Sequence, residues 1–209
     1  MARKSAVLST RRQPSQMRSK LTVSALVQAT AQVLVAKGYD AITTDAVAVR
    51  AGVSVGSLYQ YFPNKESLVA ALIRNHAEEV IDTVRAALSQ NAGASVEVVL
   101  RALINAGIEA HRIDPALHKV IHEQVPREVY PVEARLVSRE LQTLIETFLN
   151  GRAPDLPKQR LRMIAFMVET IVEALTHRAV VEAPDWLRSG HIEREASVVL
   201  SPYLAEALR

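Results

Sequence analysis

The chain has 209 residues, with 25 lysines and arginines against 22 aspartates and glutamates, and it contains no cysteine, which excludes disulfides and thiolate metal sites. Its length allows one substantial domain or two smaller ones. There is no 18-residue run of apolar residues and no apolar signal segment, so we expect a cytoplasmic protein with no membrane span.

The charge is unevenly distributed along the chain. Residues 1–65 hold nine basic and two acidic side chains, whereas the rest holds 16 basic and 20 acidic ones. This asymmetry favours a nucleic-acid-binding N-terminal part attached to an acidic body. Residues 1–20 lack hydrophobic periodicity, and we predict a flexible basic arm there. The arm is either a solvated tail that adds phosphate affinity or a segment that places arginine in a minor groove.

The stretch after the arm has the signals of three short helical elements. A first helix is predicted from about Thr22 to Lys37, ending at Gly38. Thr43 and Thr44 can cap a second helix, and Gly52 suits a turn that requires positive φ. Ser54 can cap a third helix that extends to about Tyr61. The pattern indicates a helix-turn-helix, although a generic corner of an all-helical domain has similar spacing.

The remaining chain also shows helical periodicity. The predicted helices run from Asn64 to about Ser89, from Ser95, from Pro115 to about Gln124, from Pro126 or Pro131 to Leu149, from Pro157, and from His191 to Leu208. Residues Glu182–Gly190 are predicted to form a loop, and Pro202 predicts a kink or break in the last helix. With no strand pattern and no repeat, the fold class is predicted to be all-α with about nine helices.

From about Leu21 to Leu72 the sequence resembles the tetracycline-repressor (TetR) family. The resemblance is carried by Ala29-Thr30, Lys37-Gly38-Tyr39, Ile42, Thr43-Thr44, Ala48, Ala51-Gly52-Val53-Ser54, Gly56, Leu58-Tyr59, Tyr61-Phe62 and Lys65-Glu66-Ser67-Leu68. It implies a helix-turn-helix DNA-binding domain over 21–66 and a C-terminal ligand-binding and dimerisation domain over 67–209. It further implies a homodimer, a near-palindromic operator in double-stranded DNA, and a repressor that a small-molecule effector releases.

The resemblance also assigns candidate DNA contacts. Gly56 would let the backbone approach DNA, the hydroxyls of Tyr59 and Tyr61 would reach phosphates or base edges, and Lys65 would bind phosphate. The full predicted set is Thr43, Thr44, Ser54, Val55, Gly56, Ser57, Tyr59, Gln60, Tyr61 and Lys65.

In the C-terminal domain the resemblance implies an effector cavity and a dimer interface. Candidate ligand-binding residues are Ile81, Val84, Leu103, Ile104, Gly107, Ile108, His111, Ile121, His122, Phe148, Phe166, Met167 and Thr170, each of which could instead belong to the core. Gly107 could be a cavity wall or a close-packing glycine. The low aromatic content predicts an apolar or aromatic ligand in an aliphatic site. Candidate interface residues, from a helix that is apolar on more than one side and from the last helix, are Val168, Ile171, Val172, Leu175, Val199 and Tyr203.

Other chemistry finds little support. His118 and His122 lie four apart and could share a metal, but no third ligand has suitable spacing, so we predict structural or surface histidines, no metal and no cofactor. Phosphate loops, nucleophile elbows and zinc-protease motifs are missing from the sequence, which predicts a non-enzyme. Two alternatives stay open: a ligand-independent architectural nucleic-acid-binding protein, disfavoured by the acidic body, and a helical enzyme with a borrowed DNA-binding head.

Overall fold

A computed structural model describes residues 17–112, 114–131 and 136–208, except for the side chains of residues 17, 18, 111, 112 and 181. Within these ranges the chain forms ten α-helices, one 3₁₀ turn at Arg127–Val129, and no strand, so the all-α prediction is confirmed. The helices are α1 (Met17–Lys37), α2 (Thr44–Ala51), α3 (Val55–Tyr61), α4 (Lys65–Gln90), α5 (Val96–Arg112), α6 (Pro115–Gln124), α7 (Val137–Asn150), α8 (Lys158–Glu182), α9 (Pro184–Arg188) and α10 (His191–Ala207).

Helix boundaries differ from the predictions in four places. Helix α7, predicted to start at Pro126 or Pro131, starts at Val137, and Pro126 is instead followed by the 3₁₀ turn. Helix α1 begins at Met17, within the predicted arm, and residues 1–16 of that arm lie outside the described ranges. The predicted loop after α8 contains the short helix α9, which Pro184 starts at a position where the missing N–H is no loss. Helix α10 continues through Pro202, so the expected break is absent. The carbonyl that proline leaves unbonded belongs to Val198, an exposed residue where water can bind it.

The chain divides into two compact units. The head unit comprises Met1–Ala77 and Ala116–Arg135, and the body unit comprises Glu78–Pro115 and Leu136–Arg209. Helix α6, which was expected to be part of the C-terminal domain, therefore belongs to the head. Packing explains this grouping, because the apolar side chains of α6 and the turn after it are buried in the head core: Leu117, Ile121, Val125 and Val129.

The head core is formed by apolar residues of α1 to α4 and α6. Leu26, Leu34, Leu58, Phe62 and Leu68 are fully buried in it. The stretch Ser19–Ala41, which includes most of α1, is long and apolar enough to cross a membrane by length and composition. We had expected no such stretch from the sequence. The buried side chains of Ser19–Ala41 are accounted for by this core.

The body core is formed where α5, α7, α8 and α10 pack together. Leu100, Ile104, Leu161, Ile164 and Leu200 are fully buried there. The link between α7 and α8 is tied to the link between α4 and α5 by a single side chain. The Arg152 guanidinium donates to the carbonyls of Asn91, Ala92 and Ala94, and it lies 4.4 Å from the Phe148 ring centroid.

Candidate nucleic-acid interface

The turn between α2 and α3 has the local geometry that its sequence predicts. The Thr43 hydroxyl accepts a hydrogen bond from the Ala46 N–H at 3.2 Å, which caps α2. Gly52 ends α2 at φ 69°, in the left-handed region that favours glycine. Ser54 then caps α3 by accepting the Ser57 N–H at 3.1 Å. Leu58 of α3 is buried in the head core, whereas Gly56, Tyr59 and Gln60 of the same helix are exposed within the described part of the chain.

The predicted DNA contacts cluster on the outer side of α3 and at its flanks, and none of the ten is buried. Gly56, Tyr59 and Gln60 are exposed, whereas Val55 and Tyr61 pack partly against the head core. A Cβ at Gly56 would meet only the Ser54 hydroxyl, at 4.0 Å. Packing within the chain therefore does not require a glycine here, and the close approach of DNA to the Gly56 backbone stays a prediction.

Tyr59 and Thr44 were predicted as separate contacts, and the structure joins them. The Tyr59 hydroxyl lies 3.0 Å from Thr44 Oγ1, and either group can donate. This bond connects the first turn of α2 to the middle of α3. The free N–H groups at the N-terminus of α2 suit a phosphate, so the bond holds a candidate phosphate site and a candidate base-reading helix in one register.

Lys65 has a more internal position than its predicted role requires. Its ammonium donates to the carbonyls of Tyr39 at 3.1 Å and of Asp40 at 3.4 Å. It also lies 4.7 Å from the centroid of the Tyr39 ring, a cation–π arrangement. Two of the three ammonium hydrogens are thus used within the head, and the phosphate contact of Lys65 stays a prediction.

The side chain of Tyr39 is buried beneath this ammonium. Burial raises the pKa of the Tyr39 phenol, and the nearby carboxylates of Glu66 and Asp40 raise it further, because both effects disfavour a phenolate. Tyr39 therefore remains neutral and acts through its backbone and its ring face.

Two features of the head were not predicted. Val49, on α2, is exposed, and Arg50 beside it donates to the Gln32 side chain of α1. Gln124, at the end of α6, accepts a hydrogen bond from the Tyr39 N–H at 3.1 Å. The two residues of this bond are 85 positions apart, and no local pattern marks such a pair.

The predicted ligand-binding residues do not form one group. Ile121 and His122 belong to the head unit, where Ile121 is core and His122 is exposed. Phe166 and Thr170 are exposed on α8 and do not line an interior cavity, which corrects their assignment. The side chain of His111 lies outside the described residues. The other members belong to the body unit: Val84, Leu103, Ile104 and Ile108 are buried in its core cluster, Phe148 packs against that cluster, Ile81 is buried, and Gly107 and Met167 are half-buried.

Gly107 is a close-packing glycine. A Cβ at this position would lie 2.8 Å from Cγ1 of Val172 on α8, closer than real Cβ atoms approach a neighbour. The role of cavity wall is therefore wrong for Gly107, because α8 occupies the space. A groove of about 590 Å³ does exist on α4 and α5, lined by Ala86, Ala87, Ala102 and Ala106 with polar residues around them.

The predicted dimer contacts are also divided. Val168 is only 2 % exposed, and Val172 is buried as well, so both belong to the core of the body unit. The assignment of Val168 to the dimer interface was therefore wrong, because its own chain already covers it. Ile171 and Tyr203 pack partly against that core, whereas Leu175 and Val199 are exposed. The outer faces of α8 and α10 carry further exposed apolar side chains outside the predicted interface set: Met163, Phe166 and Val198.

Two family models match this chain. The model described as "Bacterial regulatory proteins, tetR family" matches residues 26–72, which contain α2 and α3. The model described as "Tetracyclin repressor-like, C-terminal domain" matches residues 95–204, more than half of the chain. The chain belongs to the TetR family of transcriptional regulators.

Curated TetR-family relatives cover most of the chain. The HTH-type transcriptional regulator BetI of Cronobacter sakazakii is 27 % identical over 157 residues, which is 75 % of this chain and 78 % of BetI. The HTH-type transcriptional activator FasR of Mycolicibacterium smegmatis is 30 % identical over 175 residues, 83 % of this chain and 76 % of FasR. Both are named as regulators of transcription, so membership in the TetR family indicates a DNA-binding regulator.

Solved structures agree with this assignment. A TetR-family regulator from Streptomyces coelicolor is 27 % identical with a TM-score of 0.65, covering 89 % of this chain and 99 % of its own. FadR from Bacillus subtilis in complex with stearoyl-CoA has a TM-score of 0.65 at 16 % identity, covering 85 % of this chain and 96 % of FadR. At that identity, the likeness to FadR concerns the fold alone.

In this TetR-family chain, His118 and His122 of α6 have different surroundings. The His118 ring packs against the His76 ring of α4, edge to face, with centroids 4.3 Å apart, while His122 is exposed. Among the residues that the structure describes, no group of three histidines, cysteines or acids could hold a metal ion.

Proposed function

We propose that the chain is a cytoplasmic, homodimeric repressor whose α3 enters the DNA major groove and whose body binds a small effector. The observation that carries this proposal is the outer face of α3, where Gly56 leaves the backbone open and Gln60 is exposed. The bond between Tyr59 and Thr44 supports a fixed register for this face. Gln60 and Tyr59 would contact base edges or phosphates, and the N-terminus of α2 would bind a phosphate.

Replacing Gln60 tests the groove assignment directly. Gln60→Ala should weaken binding to a duplex selected by the parent protein by about 1–3 kcal/mol, because a side chain that reads a base edge is lost. Gln90→Ala is the matched control, since Gln90 is an exposed glutamine at the end of α4. Equal affinity of both variants for that duplex would exclude this use of α3.

An architectural protein would instead bind the selected duplex and bulk DNA alike, and an enzyme with a borrowed head would turn over a substrate.

The dimer is proposed to form through the outer faces of α8 and α10. Their exposed apolar residues support this, because contiguous exposed apolar surface marks an interaction site. Phe166→Glu and Val198→Glu should shift the protein to a monomer in sedimentation and weaken operator binding. Val98→Glu on α5 is the control, because Val98 and Phe166 are both 47 % exposed. A monomeric variant that held its operator as tightly as the parent would contradict the dimeric scheme.

The effector is proposed to be an apolar or aromatic small molecule that releases the DNA. The aliphatic body core supports an apolar ligand, with Leu103, Ile104 and Ile108 as candidates to contact it. Native mass spectrometry of the purified protein should detect such a molecule. If the ligand lowers the affinity of the protein for operator DNA by some factor, operator DNA must lower the affinity of the protein for the ligand by the same factor. A bound molecule that instead strengthened operator binding would assign the opposite direction of control.

A further inference from the structure

The end of α1 is completed by a residue from α6. Gly38 ends the helix at φ 77°, and its N–H donates to the Leu34 carbonyl at 2.8 Å. The next N–H, that of Tyr39, turns away from α1 and donates to Gln124 Oε1 at 3.1 Å. A buried or half-buried backbone N–H needs an acceptor, and here the acceptor is a side chain 85 residues further along the chain.

Gly38 is shaped to accept this contact. A Cβ at Gly38 would lie 2.6 Å from Gln124 Oε1, so the glutamine side chain lies directly over the space that any other residue would fill. The positive φ and the missing side chain are both needed. The close approach indicates that α1 and α6 are fitted to each other at this point.

Gln124 is held in place by the packing of its helix. Ile121 and Val125, on either side of it in the chain, are buried in the head core. The Tyr130 hydroxyl donates to the Ile121 carbonyl at 3.2 Å, which fixes the turn that follows α6. The backbone of Gln124 is therefore positioned by buried neighbours, although its own side chain lies at the surface.

Tyr39 is held from the opposite side by α4. Its carbonyl accepts a hydrogen bond from the Lys65 ammonium, which also lies over its ring. Residues 39–43 then lead directly into α2, where Thr43 forms the cap and Thr44 meets Tyr59 of α3. The backbone at Tyr39 thus sets where α2 begins, and α2 sets the register of α3.

We propose that Gln124 is a positioning residue for DNA recognition. By fixing the Tyr39 backbone it keeps the α2–α3 pair in the conformation that fits DNA, although Gln124 itself touches no nucleotide. This inference rests on the proposed use of α3 in the groove. Without the acceptor, the head populates other conformations of residues 39–43, and the apparent dissociation constant rises by the inverse of the competent fraction.

The test compares Gln124→Met with Gln124→Glu. Methionine has a similar length but no strong acceptor, whereas glutamate keeps a carboxylate oxygen for the Tyr39 N–H. We expect Gln124→Met to accelerate hydrogen exchange at the Tyr39 amide. We also expect it to weaken binding to the selected duplex measurably, by up to roughly ten-fold, which is the most that the loss of one net hydrogen bond can do through the competent fraction. The dependence of binding on salt should stay unchanged, because no phosphate contact is lost. Gln124→Glu should retain slow exchange and stay closer to the parent in affinity.

Further variants separate this role from general destabilisation. Gln90→Met places the same substitution at the last residue of α4 and should bind DNA like the parent. If Gln124→Met has a lower melting temperature than the parent, Gln124→Ala serves as a second variant that lacks the acceptor. The inference is overturned if Tyr39 exchanges faster while affinity is unchanged, or if the methionine and glutamate variants lose affinity equally. Failure of the Gln60 experiment would instead overturn the proposed function.

Discussion

A side chain added at Gly56 would enter open space, since only the Ser54 hydroxyl comes within 4.0 Å of the Cβ position. We therefore expect Gly56→Ala to leave the protein as stable as the parent or up to about 1 kcal/mol more stable, because alanine is the better helix former. The same methyl group would separate α3 from DNA, so affinity for the selected duplex should fall at least ten-fold. Thermal melting and DNA titration of this variant measure the two effects. A variant that melts like the parent and binds equally well would show that DNA does not approach this backbone.

Replacing Gly107 by alanine should lower the stability of the protein, unlike the same replacement at Gly56. A methyl group there would press on Cγ1 of Val172, so Gly107→Ala is expected to destabilise the body by about 1–3 kcal/mol. Shortening the opposing side chain removes the clash, and the double variant Gly107→Ala with Val172→Ala should be less destabilised than the two single effects predict together. Urea unfolding of the four proteins in this cycle provides the measurement. Additive effects would mean that the two residues do not meet.

Tyr39 gives the head a dependence on alkaline pH. Its pKa in the folded protein is raised above the ordinary value of 10.0, chiefly by burial. The unfolded chain therefore loses the phenol proton first as the pH rises. The contribution of this group is fully present below pH 10 and is lost as the pH rises through the higher folded value. Tyr39→Phe keeps the ring beneath Lys65, and its free energy of unfolding should fall less between pH 9 and pH 11 than that of the parent. If the free energy of unfolding depends on pH in the same way in both proteins, Tyr39 is not the group responsible.

At the scale of whole elements, the Arg152 side chain connects the link between α7 and α8 to the link between α4 and α5. The guanidinium donates to the carbonyls of Asn91, Ala92 and Ala94 at once, in addition to the bond from the Ala94 N–H to the Asn91 carbonyl within the α4–α5 link. Arg152→Ala should cost about 1–3 kcal/mol of stability, because the partly buried carbonyls of Asn91 and Ala94 lose a charged donor. Arg160→Ala, which removes an exposed arginine of α8, serves as the control and should change stability by less than about 0.5 kcal/mol. Equal melting temperatures for both variants would show that the Arg152 hydrogen bonds do not stabilise the body.

The elements that were predicted well are those specified by neighbouring residues. The caps at Thr43 and Ser54 and the glycine turn at Gly52 are local signals, and the structure contains all three. Helix α8 was harder to interpret because it is apolar around most of its circumference. Periodicity shows that such a helix is buried, but only packing against α5 and α7 decides that Val168 faces inward while Phe166 faces outward.

The contacts that the sequence does not reveal are those between distant segments. Lys65 matches a motif position, yet its position over the Tyr39 ring depends on where α1 ends relative to α4. Gln124 lies in a segment that the family resemblance assigns to the C-terminal domain. Its bond to Tyr39 depends on the burial of α6 in the head core. A hydrophobic pattern shows that α6 has an apolar face, but it does not show which core receives that face.

At the scale of the whole molecule, each unit should respond to substitutions in its own core. Ile121→Ala is expected to cost about 2–4 kcal/mol and to lower hydrogen-exchange protection in α1 to α3, because Ile121 is buried in the head core. Ile164→Ala should instead lower protection in α5 and α10, since Ile164 belongs to the body core. Exchange measured by mass spectrometry distinguishes the two patterns. Loss of protection in α5, rather than in α1 to α3, on replacing Ile121 would contradict the division of the chain.

Because the head combines Met1–Ala77 with Ala116–Arg135, its core is not complete when the helix-turn-helix emerges from the ribosome. The nascent chain must first extend through α5. At roughly 5–20 residues per second, this takes on the order of several seconds. During that interval the core lacks Leu117 and Ile121 of α6, and the unfinished head exposes apolar surface to chaperones and proteases. Synthesis of α6 therefore sets the earliest moment at which a newly made molecule can complete its DNA-binding head.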